Sequence, residues 1–124
     1  MTYRFVIPYT LPSLNEYIDQ CRRNRYAAAK YKRDIEDGLV MLIKSQLRGI
    51  SIDGTINIAY LWVERDKRRD LDNVSGMGRK FINDALVKAG TLKNDGWKNI
   101  TGFTDSFAID KSNPRIEITI MQGE

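Results

Sequence analysis

Between Ile56 and Asp95 the chain passes from a strand-like run, through a basic segment holding two acids, into a helix-like run. This order constrains the fold more than any other feature. Ile56-Asn57-Ile58-Ala59-Tyr60-Leu61-Trp62-Val63 is rich in β-branched and aromatic residues, contains no proline and follows Asp53-Gly54, which predicts a strand. If the extended backbone persists to Asp72, Asp70 and Asp72 share a face, because strand side chains repeat every second residue. Adjacent carboxylates repel one another and favour a bound cation. A site with few protein oxygens suits Mg²⁺, which keeps several waters and draws other ligands from substrate phosphates. Asp95 is the candidate third carboxylate. The same residues also read as the start of a helix, with Asp72 or Asn73 as N-cap. Arg65, Lys67, Arg68 and Arg69 precede the acids, and Arg79 and Lys80 follow them.

Several chemistries are excluded outright. The chain has no histidine and one cysteine, Cys21, so it has no histidine general base, no zinc site of the usual Cys/His kind and no internal disulfide. Hydrolysis, if the chain performs it, rests on carboxylates, a lysine or metal-bound water. A net charge of +4 favours an anionic partner. No apolar run approaches membrane-spanning length and the N-terminus lacks a signal-peptide pattern. The expectation is a cytoplasmic protein with no membrane partner.

At 124 residues the chain reads as one domain, 1–124. Thr2 to Ile7 predicts a first strand stopped by Pro8 and Pro12, followed by a loop through Tyr17. Asn15 in that loop reads locally as a turn residue. Apolar residues at helical spacing predict a helix from Arg25 to Leu47, closed at Arg48-Gly49. Arg22, Arg23, Arg25 and Lys30, with Tyr26 and Tyr31 among them, suit phosphate contact with some stacking, or else form a solvated helix face. Lys67, Arg68, Arg69 and Arg79 are further candidate DNA contacts. A helix carries Lys80 to Lys88 and ends at Gly90, while Gly76 and Gly78 leave its first turns open, reading equally as a flexible loop beside the candidate site or as inserted slack. Asp84 reads as a helix carboxylate facing a partner, and Trp97 as a core residue or dimer contact first and a DNA wedge second. Ile100 to Ile109 and Arg115 to Met121 predict a hairpin joined by Asp110 to Pro114. The expected architecture is α/β of the α+β type: a mixed, mostly antiparallel sheet of about four strands with two helices.

Taken together, Arg69-Asp70-Leu71-Asp72-Asn73, Lys80 four residues before Asp84-Ala85-Leu86, Lys88-Ala89-Gly90 and Asp95 resemble the RusA family of Holliday junction resolvases. Leu11-Pro12-Ser13-Leu14-Asn15-Glu16-Tyr17 is similar to the family's N-terminal PPSxN-x-Y segment, so the resemblance covers most of the chain. It implies a RusA-like nuclease domain: a homodimeric, Mg²⁺-dependent endonuclease that cuts four-way DNA junctions symmetrically in recombination and repair. It assigns Asp70, Asp72 and Asp95 to the metal, Lys80 to catalysis, and Asn15 and Asn73 to the loop near the site. The chain departs from the family in two places. Gly76 stands where the family lysine usually falls, as if about one helical turn were inserted between Val74 and Arg79. Asn94 replaces the first acid of the pair that ends with Asp95. Two alternatives accompany this reading: a branched-DNA-binding protein without cleavage, and a nuclease acting on flaps or forks.

Overall fold

A computed structural model describes residues 1–123 as β1 (Thr2–Ile7), α1 (Leu14–Arg23), α2 (Arg25–Leu47), β2 (Ile56–Glu64), α3 (Leu71–Lys88), β3 (Ile100–Ile109) and β4 (Arg115–Gln122). The strands form one mixed sheet in the order β1-β4-β2-β3. The β1–β4 and β4–β2 pairs are antiparallel and the β2–β3 pair is parallel. The expected α+β class and mostly antiparallel sheet are borne out, with three helices in place of two.

The additional helix, α1, occupies what reads as a loop through Tyr17. Its cause is local: Ser13 caps the helix, its hydroxyl accepting the Glu16 N–H, while the Glu16 side chain reaches back to the Ser13 N–H. This is a capping box, and Ser13-x-x-Glu16 is its sequence signature. Asn24 separates α1 from α2 and caps the latter, its side chain accepting the N–H groups of Tyr26 and Ala27. The α2 helix has the bounds its apolar spacing predicts, and ends where Arg48 turns left-handed at φ 54°.

The C-terminal hairpin is corrected. β3 and β4 run in opposite directions, but β2 lies between them, so they do not pair. The short connection spans the end of β2, with the Asp110 N–H on the Glu64 carbonyl at 2.8 Å. Two strand spacings are about 10 Å, which five extended residues cover easily. Burial explains the insertion. β2 buries Ile56, Ile58, Tyr60 and Trp62 to about 1 % exposure or less, whereas most of β3 stays open at the edge. The parallel β2–β3 pair needs a crossover, and α3 supplies it.

One face of the sheet carries the core. Leu39, Ile43 and Leu47 of α2 and Met77, Phe81, Ile82, Ala85 and Leu86 of α3 join Phe5, Ile7, Tyr60, Ile116, Ile118 and Ile120 in one cluster. Residues 76–78 are part of α3, contrary to the loop reading. Gly78 faces β2, where a Cβ would lie 2.5 Å from the Trp62 ring; only glycine lets the helix approach that closely. Tyr60 stacks on Trp62 with ring centroids 5.4 Å apart and donates its hydroxyl to Asn83 Oδ1 at 2.6 Å, a buried polar tie between β2 and α3. Burial raises the Tyr60 pKa, so the phenol stays protonated.

Candidate functional site

The candidate site lies where β2 turns into α3. Arg69 organises it. Its guanidinium donates to Glu64 Oε1 at 2.8 Å and Oε2 at 3.0 Å, to the Leu11 carbonyl at 2.8 Å and to Glu16 Oε1 at 2.8 Å. Three segments distant in sequence are thereby tied to one planar cation: the end of β2, the approach to α1, and α1 itself. Burial lowers the Arg69 pKa, but hydrogen bonds and charge from Glu64 and Glu16 outweigh it and leave the pKa raised. For Glu16, burial pushes the carboxyl up, yet the bonds from Arg69 and Ser13 hold it below the usual range. Arg69, a candidate DNA contact in the sequence, is therefore committed within the fold.

Asp70 comes next, and its environment is the reverse. It is the N-cap residue of α3, with extended backbone, but its side chain makes no capping bond. Asp72 lies in the first helical turn, where its Oδ1 accepts the Asn73 N–H at 3.0 Å. The strand ends at Glu64, the segment before Asp70 is bent and Asp72 is helical, so the strand argument for a shared face does not apply. Of the two readings of these residues, the helix start is the one observed, with Asp70 rather than Asp72 or Asn73 at the cap. Both carboxylates are exposed.

Asp95 lies beyond the other end of α3, in the loop leading to β3, and contributes to the field around Lys80. Lys80 donates to Asp84 Oδ1 at 3.1 Å, and this bond, the Asp84 charge and the more distant Asp95 charge raise its pKa. Asp84 also meets Lys32 at 3.9 Å, and so has the structural role expected of it. Gly76 and Lys80 are both exposed, one turn apart on α3. Lys80 stands eight residues, about 12 Å, along the helix from Asp72. Among the described residues no group of three His, Cys, Asp or Glu side chains is placed to hold a metal ion, so Asp70, Asp72 and Asp95 are not gathered into one three-carboxylate centre.

What these three acids share is the lack of a counter-ion. Among the described acidic residues only Asp19, Asp70, Asp72 and Asp95 form no ion pair; every other one meets a lysine or arginine within 4.0 Å. Asp70 borders two clefts. One is polar and lined by Ser13, Asn15, Arg68 and Asn73, so the fold brings Asn15 and Asn73 beside Asp70. The other runs toward β3 past Lys67, Leu71, Phe107 and Ile109.

The basic residues divide in two. Arg22, Arg23 and Arg25 are exposed at the α1–α2 corner, with no ion pair among the described residues. Along α1, the six or seven residues from Glu16 of the Arg69 cluster to Arg22 and Arg23 span about 10 Å. Lys67 is exposed beside Asp70, and Arg68 leans on Asp66 at 3.7 Å. Lys30 pairs with Asp34 at 2.7 Å. Arg79, like Arg69, is turned inward: it pairs with Asp105, which also accepts the Trp62 indole N–H at 2.9 Å, and it lies over the Phe103 ring at 5.6 Å. Glu16, Glu64 and Asp105 are the residues that sequence reasoning missed. The capping box was a signal for Glu16; nothing in the local pattern marks the other two. Compared with known proteins, the chain matches no protein-family model and no curated protein sequence.

Proposed function

We propose that the protein is an Mg²⁺-dependent, structure-selective endonuclease that resolves four-way DNA junctions as a homodimer in recombination and repair. The observation that carries this reading is the unpaired state of Asp70, Asp72 and Asp95 in a chain of net charge +4 whose other described acids, Asp19 excepted, are all ion-paired. Local charge matching is the rule in a folded chain, and functional sites are where it lapses.

The donor set of one chain does not fit a single ion held by all three acids. It fits a less demanding arrangement, since Mg²⁺ takes one or two carboxylates and completes its shell with water and phosphate oxygens. Asp70 and Asp72 would hold it; the ion, when bound, would lower the pKa of a water nucleophile and neutralise phosphate charge. The remaining roles belong to the chain. The N–H groups of Leu71 and Asp72 at the start of α3, unlike that of Asn73, which Asp72 Oδ1 accepts, suit a phosphate oxygen. Arg22, Arg23 and Arg25 hold the backbone of a DNA arm about 10 Å along α1 from Glu16. Lys80, kept protonated by Asp84 and Asp95, meets a neighbouring phosphate rather than the one at Asp70. Paired cuts require two sites related by a twofold axis, hence the dimer.

That Asp70, Asp72 and Asp95 form no three-carboxylate centre among the described residues favours a second reading, a branched-DNA-binding protein that does not cut. One experiment divides them: a labelled synthetic four-way junction, with a fork and a flap beside it, incubated with and without Mg²⁺ using the wild type and Asp70→Asn. Paired symmetric nicks in the junction that need both Mg²⁺ and Asp70 support the resolvase. Cuts confined to the fork or flap identify a different nuclease. Selective binding with every substrate intact identifies the binder.

A further inference from the structure

Trp97 stands apart from the rest of the apolar surface. The Asn99 and Ile100 N–H groups both donate to the Gly96 carbonyl at 3.0 Å, and the Asn99 carbonyl accepts the Ile56 N–H at 2.8 Å. The turn carrying Trp97 is thus closed on itself and fastened to β2. Yet its indole is 95 % exposed, while the other tryptophan, Trp62, is 1 % exposed. Phe103 on the adjoining edge strand is 46 % exposed, and a shallow groove lined by Asp95, Ile100, Thr101 and Gly102 separates the two rings. A fastened turn that holds a whole indole in water presents that ring to something outside the chain.

Size and charge select the occupant. Two aromatic side chains offer roughly 150–250 Å² each, well short of the roughly 800 Å² per partner in a stable protein interface. They do match one planar ring. Lys98 follows Trp97 in the chain, is exposed and has no ion pair among the described residues, so a phosphate attached to a ring on Trp97 finds a cation one residue away. Asp95 at the groove lining supplies an acceptor for an exocyclic amine. We propose that Trp97 is a stacking platform for an unpaired nucleobase, with Phe103 as the opposite wall and Lys98 on the adjoining phosphate. This deepens the reading of the protein as a branched-DNA enzyme and rests on it, since a branch point is where bases leave the stack. Base–aromatic stacking tolerates any base, so the platform selects unpaired structure rather than sequence.

The test reads binding in EDTA, where cutting does not intervene, using the full chain and two short duplexes that differ by a single unpaired adenine. Trp97 emission is expected to be quenched by the bulged duplex more than by the paired one, with the buried Trp62 as a constant background. Trp97→Ala is expected to lose about tenfold in affinity for the bulged duplex and to keep its affinity for the paired one, and Trp97→Phe to keep most of both. Equal binding of the two duplexes by the wild type, or by Trp97→Ala with no loss, overturns the platform. A shift of Trp97→Ala from dimer to monomer in sedimentation also overturns it, in favour of a second copy covering the ring. Selective binding together with intact junctions in the Mg²⁺ assay overturns the endonuclease and leaves the platform standing. No binding to either duplex overturns both.

Discussion

Two patches at the N-terminus of α3, one residue apart in sequence, handle charge in opposite ways. Around Arg69, donors and acceptors are matched: Glu64, itself buried, Glu16 and a main-chain carbonyl converge on one guanidinium. Around Asp70 and Asp72 the carboxylates are exposed and unpaired although Lys67 and Arg68 are near in sequence. The first patch joins α1, β2 and α3 and so holds the second in place. The contrast shows that ion pairs here serve position, while Asp70 and Asp72 are left with no cation from the chain itself among the described residues.

The comparison breaks most sharply at the carboxylates themselves. Asp70→Asn and Asp72→Asn are expected to lower Mg²⁺-dependent junction cleavage by more than about a hundredfold. Thermal melting should meanwhile show no loss of stability, because no ion pair is removed. A Tm drop matching the activity loss would assign these acids to the fold instead. Arg69→Met is expected to do the reverse. It strands Glu64, 9 % exposed, without its cation, and should cost about 3 kcal/mol in denaturant unfolding. It should also speed hydrogen exchange in α1, which loses its tie to β2; an unchanged α1 would mean that the guanidinium does not hold the patches together.

The two glycines of α3 sharpen the same contrast between buried and open faces. Gly78→Ala forces a methyl into the Trp62 ring and should cost about 2 kcal/mol. At Gly76 nothing lies within 4 Å of an added Cβ, so Gly76→Ala should stabilise by up to about 1 kcal/mol through helix propensity. Equal effects at the two positions would show that the helix does not press on β2 as closely as its geometry requires.

The smallest effect is the pH dependence of the Arg69 patch. The Glu16 carboxyl is held below its ordinary value of 4.5, so its contribution to stability is present above that value and is lost as the pH falls through the lower, folded one. The stability difference between wild type and Glu16→Gln should therefore shrink below about pH 4.5 and stay under about 1 kcal/mol, given that Glu16 is half exposed. A difference that grows in acid would mean Glu16 is not ion-paired in the folded chain.

Much of the secondary structure was legible because it is written in short-range patterns. The apolar stripe of α2 and the alternation of β1, β2 and β4 each bury one face, and that requirement appears as a period in the sequence. Ser13-x-x-Glu16 carried the start of α1 in the same way, although it reads easily as a loop. Gly76 and Gly78 were misread as loop residues for a different reason. Glycine marks either a flexible backbone or a close approach, and the ring at Trp62 that decides between them lies on another element. Trp97 was expected in the core or an interface by its residue type, and its position on a turn fastened at β2 keeps it out of the core.

By itself the sequence determined the four strands, α2 and the C-terminal half of α3, the absence of histidine and disulfide chemistry, and the clustering of acids and bases at the entry to α3. These follow from residue type and spacing over a few positions. The tertiary structure alone decided that β2 separates β3 from β4, that Arg69 and Arg79 turn inward to Glu64, Glu16 and Asp105, and that Asp70, Asp72 and Asp95 are, with Asp19, the described acids left without an ion pair. Strand order and charge pairing depend on which distant residues are brought within a few ångströms, and that is settled by burial of the whole core rather than by any local pattern.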